Sequence, residues 1–287
     1  MTAYGATDRD VEALLALAWL APLNSAQLHT LACPEASTTT FKGTVKALQA
    51  RKWIDGPLLY GASGGRTEPP KRQGRAWQLI GGWHILPDDG RKPPYAAAIR
   101  EAILQHDLTR AELITTIIHQ ARSVLSGISL ELEARLDEAQ PKPKADAILI
   151  LRKGVPPGRG LPWVYAKPAE GEVLRGFAIE VDRDTEPLGT IQEKAEAYKR
   201  AAHDPAFYAR YGHMPLPLWL VPDRKRAEQV LATWRQVWPE GRFYLMTDAT
   251  IPALMAVEYN QGERRGMMLL DGWVLGGGLA GTGQRAT

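Results

Sequence analysis

The chain reads as an α/β protein, α+β overall: an N-terminal winged helix-turn-helix followed by an α/β domain on a mixed sheet. Three observations predict this. Three helical periods come first, followed by two short apolar runs that flank a basic, Gly/Pro-rich loop. Farther on, apolar strand-like segments alternate with amphipathic helical ones. Between the two regions lies GWHILPDDGRKPPYAA (82–97), whose Pro, Gly and Asp content reads as a linker.

The elements follow in order. DRDVEALLALAWL (8–20) opens with acids suited to a helix N-terminus and continues with apolar positions at helical spacing. Asn24 or Ser25 can cap a short second helix, SAQLHTLA. Ser37 or Thr38 can cap a third, FKGTVKALQARKW, with Phe41, Val45 and Leu48 on one face and Lys42, Lys46 and Gln49 on another. PLLY and AWQLI then frame a long-tipped hairpin, the wing, which makes the third helix the reading helix. Ile99 to Val124 is helical by period. LELEARL, within 129–136, alternates like a strand yet consists of fair helix formers, so it stays open between the two. ADAILILR (145–152), LRGFAIEVD (174–182), PLPLWLVP (215–222) and GRFYLMTD (241–248) read as strands. IQEKAEAYKRAA and RKRAEQVLATWRQVW read as the helices among them. The expected division is a DNA-binding domain over 8–82, a linker over 83–97, an α/β domain over 98–275 and a frayed tail over 276–287.

Composition sets the class. With 45% hydrophobic and 23% charged residues in 287, a core can form without disulfides, and the single Cys33 cannot pair within the chain. The start, MTAYGATDRD, lacks a basic and then apolar leader, and VEALLALAWLAPL is too short to span a bilayer, so a cytoplasmic protein with no membrane partner is expected. Net charge is only +3, but its distribution is uneven. Between 42 and 75 stand Lys42, Lys46, Arg51, Lys52, Arg66, Lys71, Arg72 and Arg75 against only Asp55 and Glu68. A basic helix and loop of this kind can neutralise the phosphates of double-stranded DNA. A solvated amphipathic helix beside a linker would show the same charges without binding anything.

A second constellation is acidic. Asp146 stands at the mouth of one strand, and Glu180 and Asp182 stand near the end of the next, sharing a face because strand positions i and i+2 do. Carboxylates converging at strand ends suit Mg²⁺ or Mn²⁺, with Asp146, Glu180 and Asp182 as the ligands. Lys194 and Tyr198, four apart on the following helix, share a face toward them. A lysine there can orient water or steady charge building on phosphorus. Each acid alone is equally consistent with a turn residue or a helix cap, since Thr185, Glu186 and Pro187 would start the next helix without any metal.

Asp146, the strand ending in Glu180-Val181-Asp182, and Lys194 together resemble the PD-(D/E)xK nuclease superfamily. That likeness implies a restriction-endonuclease-like fold for 98–275 and catalytic roles for Asp146, Glu180 and Lys194. The chain departs from the pattern at 182, where Asp stands in the usual place of the lysine. Lys194 fits branches that move the lysine to the helix, and KAEAY resembles the polar-xxx-Tyr helix of some exonucleases, which brings in Tyr198. Glu133 matches the additional acid that several branches supply. Taken over 8–248, the segments HDLTRAELI, KADAILIL, FAIEVDRDTEP, EKAEAY and PLWLVPDRKRAEQVLATW resemble the replication-relaxation family of plasmids, integrative elements and phages. That resemblance implies DNA binding linked to replication or mobilisation.

Two functions therefore stand side by side. One is a DNA-binding protein of a mobile element with metal-dependent phosphodiester hydrolysis. The other is a non-catalytic DNA-binding regulator or replication accessory factor, its α/β domain serving homodimerisation or partner docking. The six histidines show no zinc spacing, and GASGG lacks the Lys-Ser/Thr of a phosphate loop. His106 reads as a cap or interface residue, and Trp77 as core.

Overall fold

The computed structural model describes residues 5–20, 22–60, 74–79, 101–122, 125, 127–137, 143–153, 172–184, 186–260 and 263–268. The expected linker, the hairpin tip and the tail lie outside these.

The N-terminal part begins with α1 (Asp8–Leu20), α2 (Ser25–Ala32) and α3 (Thr38–Ala50). Each has a polar start. Thr7 and Asp10 exchange side chain-to-backbone bonds at α1. Asn24, not Ser25, caps α2 in a reciprocal box with Gln27, and Ser37, not Thr38, caps α3 by accepting from Thr40 N. A three-stranded sheet in the order β1-β3-β2 follows, from β1 (Leu23–Asn24), β2 (Ile54–Tyr60) and β3 (Gly74–Leu79). The β2–β3 ladder is irregular between Asp55 and Leu58. There Gly56 has φ +142°, and a Cβ on it would lie 2.7 Å from the Trp77 ring, so only glycine fits. Trp77 is core, as expected, and its indole donates to Ser25 Oγ at 3.0 Å, pinning β3 to α2.

The larger part is α4 (Glu101–Ala121) and a seven-stranded mixed sheet in the order β10-β9-β8-β7-β6-β5-β4. β4 (Gly127–Arg135), β5 (Lys144–Lys153) and β6 (Glu172–Val181) form an antiparallel meander. Pairing with β5 decides LELEARL in favour of strand, a choice its local propensity left open. After β6 come α5 (Leu188–Ala201), α6 (Pro205–Tyr211), β7 (Leu216–Val221), α7 (Arg224–Val237) and β8 (Phe243–Thr247). β7 runs parallel to both β6 and β8, as helical crossovers require. An antiparallel pair, β9 (Met255–Asn260) and β10 (Glu263–Met268), closes the sheet after a 3-10 segment at Asp248–Ala253. α6, β9 and β10 do not emerge from the sequence reading: the helix is short, and MAVEYN and ERRGMM carry little apolar alternation.

Each face of the sheet has its own core. Ala147, Leu149, Leu151, Phe177, Ile179, Leu218, Leu220 and Tyr244 pack in a cluster that takes in α1, α2, α3 and α4. Ile148, Ile150, Ala178, Trp219 and Phe243 pack on the other face against α5 and α7. Trp234 of α7 centres that second layer, its ring 5.0–6.2 Å from those of Tyr198, Trp219, Trp238 and Phe243.

Gln27 joins the N-terminal helices to α4. Its amide nitrogen donates to the Leu108 carbonyl at 3.1 Å and to Glu112 Oε2 at 2.8 Å, while its oxygen accepts from Asn24 N. Gln27→Ala should cost about 2 kcal/mol, because a cap and a buried amide are lost together. Urea unfolding followed by tryptophan fluorescence checks this. A change under about 0.5 kcal/mol would mean that the link carries no stability.

Candidate functional site

The strand alternation that sorts side chains between the two cores slips at one place. Along β5, Ala147 belongs to the α4-side cluster, yet Ala145, two residues earlier, belongs to the α5-side cluster. Along β4, Leu132 packs with the first cluster and Ala134 with the second. These residues pair as Leu132↔Ala147 and Ala134↔Ala145, so the slip falls on Glu133 and Asp146, opposite each other. Glu133 has φ +52°, an uncommon left-handed conformation for a glutamate. The local twist brings Asp146 to the end of β6, where its Oδ2 accepts from Val181 N at 2.6 Å and faces His106 Nε2 of α4 at 3.2 Å.

Glu180 follows the ordinary alternation and enters the α5-side layer, where its side chain is 0% exposed. On the neighbouring strand β7 it is opposite Trp219. A carboxylate in such a place requires partners, and α5 supplies two from one face. Lys194 Nζ is 2.7 Å from Glu180 Oε2, and Tyr198 OH donates to Oε1 at 2.5 Å. Lys194 also bridges to Glu186 Oε1 at 2.7 Å and lies 5.5 Å from the Trp219 ring centroid. Asp146, Glu180, Lys194 and Tyr198, read as one site from the sequence, thus do come together.

Asp182 does not join them. Its Oδ2 takes Arg226 Nε at 2.6 Å, from the first turn of α7. The same guanidinium reaches the Glu186 carbonyl and Gln229 Oε1, and lies 3.4 Å from Asp184 Oδ1. Glu180 and Asp182 share a face as expected, but each has its own cation. Glu133 is more than half exposed, 3.8 Å from Arg110 Nη1. Arg110 also donates to the Asp146 carbonyl and pairs with Asp107 at 2.9 Å. Among the described residues, no group of three or more His, Cys, Asp or Glu is placed to hold a metal ion.

Sequence reasoning missed three residues of this network. His106 lies within α4 rather than at its start, and its ring bridges Asp107 Oδ1 and Asp146 Oδ2. The adjacent His-Asp pair was the available signal. Glu186 supplies a second carboxylate to Lys194 where the sequence suggested only a cap. Arg226 stands 44 residues from Asp182, and no local pattern links them.

The ionisation of the network follows from burial and partners. Burial drives the Glu180 carboxyl up to about 8, against the pull of Lys194. Burial also raises Glu186. Burial works against the charged Lys194, but Glu180, Asp146 and Glu186 outweigh it and hold its pKa above the usual lysine range. Burial and the adjacent Glu180 hold the Tyr198 hydroxyl well up, so it acts as a donor. Burial pulls His106 down, yet hydrogen bonds to Asp107 and Asp146 raise it to about 9. Burial opposes ionisation of Asp146, but His106 and Lys194 prevail and hold it below its ordinary value.

The basic residues expected to meet DNA lie elsewhere. Lys42 and Lys46 are exposed on α3, and Lys52 is exposed just after it. Arg51 lies over Trp53, donates to the Gly5 carbonyl and is 3.7 Å from Asp10. Arg75 is on β3. Arg66, Lys71 and Arg72 lie outside the described residues.

Fold and site together define an α+β protein with a seven-stranded mixed sheet and a buried acid–lysine–tyrosine cluster at the end of a central strand. The chain belongs to the replication-relaxation family, whose model matches residues 14–216. That membership points to the replication or mobilisation of a plasmid or other mobile element. No curated protein and no solved structure matches the chain. No helix among the described residues is long and apolar enough to cross a membrane.

The pH dependence of stability has a definite sign. Glu180 and His106 both have folded-state values above their ordinary ones, so each contributes stability below its ordinary pKa that is lost as pH rises through about 8 and about 9. Asp146, shifted down, contributes above its ordinary value and loses that contribution in acid. Melting temperature should therefore fall from about pH 6 to about pH 9, and His106→Gln should flatten the part of that decline above about 6.5. Thermal melts across the range check this, and a melting temperature that is level or rising over that interval contradicts it.

Proposed function

We propose that the chain binds duplex DNA through its N-terminal helices in the replication or mobilisation of a mobile element, with its α/β domain as a nuclease-like scaffold that does not cut. The observation that carries the reading is α3. Phe41, Val45 and Leu48 are buried in the core while Lys42 and Lys46 face solvent, an arrangement that leaves a basic stripe free for phosphates. The short α2 before it and the β2–β3 hairpin after it support a winged-helix reading with α3 as the reading helix.

The nuclease-like reading draws on topology. A helix, three antiparallel strands, two helices and a parallel strand follow one another from α4 to β7, with Asp146 on the second strand and Glu180 on the third. The divalent ion that the likeness implies does not fit these donors as they stand. Asp146 Oδ2, both Glu180 oxygens and Asp182 Oδ2 already accept from protein donors. No hydrolytic step is therefore assigned to them. A second reading, metal-dependent hydrolysis, rests on Glu186 Oε2, which is buried without a hydrogen-bond partner.

One experiment tests both halves. The full chain should bind duplex DNA with an affinity that falls steeply with salt, and Lys42→Glu/Lys46→Glu should weaken binding at least tenfold and flatten the salt slope. Supercoiled plasmid incubated with the protein and Mn²⁺ should stay intact. Salt-independent or absent binding overturns the first half. Cleavage that disappears in Glu180→Gln overturns the second and restores the hydrolytic reading.

A further inference from the structure

We infer that the segment LLDGWVL (269–275), which lies outside the described residues, docks in an apolar groove between α7 and the β9–β10 edge of the sheet, with Trp273 as its anchor. The groove arises from a mismatch of layers. α7 packs over β7 and β8, but the sheet continues beyond β8 for two more strands. α7 therefore has two apolar faces. Val230 and Trp234 are buried in the core, while Ala227 and Leu231 line the groove together with Arg224 and Glu228, at the spacing that puts all four on one face. Leu245 of β8 and Met255, Val257 and Tyr259 of β9 form the floor. That floor is incompletely covered: Met255 is 41% exposed. Gly266 of β10 lines the same groove, and a Cβ built on it meets no described atom within 4 Å. The groove encloses about 390 Å³, room for a large side chain and its apolar neighbours.

The chain itself brings the occupant to this place. β10 ends at Met268, whose backbone partner in the ladder is Met255, a residue of the groove. Five of the next seven residues are large and apolar: Leu269, Leu270, Trp273, Val274 and Leu275. Seven residues reach about 24 Å when extended, and the floor from Met255 to Tyr259 runs about 13 Å along β9. The segment thus has the length to turn back and lie along the groove, and Asp271-Gly272 is a dipeptide that favours such a turn. The charges match as well. The rim carries Arg224 and Arg264, with Glu228 engaged by Arg224 at 2.9 Å, so an apolar segment with a single acid, Asp271, complements an apolar floor with a basic rim. A second copy or a foreign peptide would have to displace a segment tethered at the edge of its seat, where its effective concentration is high.

The test uses full-length chains: wild type, Trp273→Ala, Gly266→Leu and the double variant, each followed by thermal melting and light scattering. Trp273→Ala should lower the melting temperature by roughly 4 °C, because an anchored aromatic side chain is lost. Gly266→Leu discriminates. On an open strand surface a leucine in place of glycine is neutral or stabilising. With the segment seated there, the new side chain blocks the seat and should also cost roughly 4 °C. The double variant should melt within about 1 °C of the lower single variant, because both changes remove the same contact. The mass in solution should be the same for all four chains. An unchanged melting temperature in Trp273→Ala, a neutral or stabilising Gly266→Leu, or losses that add in the double variant each overturn the docking. A wild-type dimer that Gly266→Leu splits into monomers also overturns it and makes a second copy the occupant of the groove.

Discussion

The structure of the α/β part depends on one constraint: Glu180 is a carboxylate placed inside an apolar layer. Its neighbours on that face are Ala178, Trp219 and the helices α5 and α7. A buried charge of this kind is costly unless its oxygens are bonded and its charge is balanced. The chain meets the requirement with a lysine and a tyrosine four apart on the next helix, which is the spacing that puts two side chains on one helix face. That choice sets the rotation of α5 about its own axis and holds it against β6. Tyr198 in turn carries its ring into the aromatic group around Trp234 and so connects the ionic cluster to the packing of α7. Replacing the whole cluster by apolar residues would give a simpler core, so its presence marks a place where specificity of arrangement outweighs economy.

What the sequence revealed of the fold follows from the range of the interactions involved. α1, α3, α5 and α7, and strands β5 to β8, have strong local periods, and the structure has all of them within three residues of the expected ends. β4 could not be decided locally, because Glu, Leu, Ala and Arg suit a helix as well as an alternating strand. Its identity depends on a ladder to β5. β10 is the exposed edge strand and β9 lies next to it, with polar positions such as Glu258, Arg264 and Arg265; the pairing of β9 with β8 and of β10 with β9 is what makes them strands. The cap alternatives were decided by geometry: Asn24 and Ser37 are in extended backbone just before the first helical turn, where a side-chain oxygen can reach back.

The site was legible where it is local and hidden where it is not. Strand alternation placed Glu180 and Asp182 on one face, and helical spacing placed Lys194 and Tyr198 on another, so their meeting could be read from two short segments. The partner of Asp182 could not. Arg226 is in the first turn of α7, and a charge pair 44 residues apart leaves no pattern in one sequence. Asp146 was found for a partly different reason from the one that holds. It reaches Val181 and His106 through a slip in alternation shared with Glu133, whose positive φ has no sequence signature in a glutamate. His106 was visible only as a histidine beside an acid, and its bond across to β5 depends on how α4 lies on the sheet.

α4 connects these observations. Within two turns it presents His106 and Arg110 to Asp146, and Leu108 and Glu112 to Gln27 of α2. Three helical turns later, Arg122 reaches back to the Thr30 carbonyl at the end of α2. A helix gripped at both ends of its contact with α2 cannot shift against the basic helix α3 without disturbing bonds at the acidic pocket. The apolar cluster that joins α1, α2, α3 and α4 to the sheet has the same consequence, because packed interiors transmit displacement rather than absorb it. α4 and the apolar cluster thus join the helix that carries the basic stripe to the acidic pocket. The buried carboxylates at that pocket, Glu180 and Asp182, are already paired within the chain.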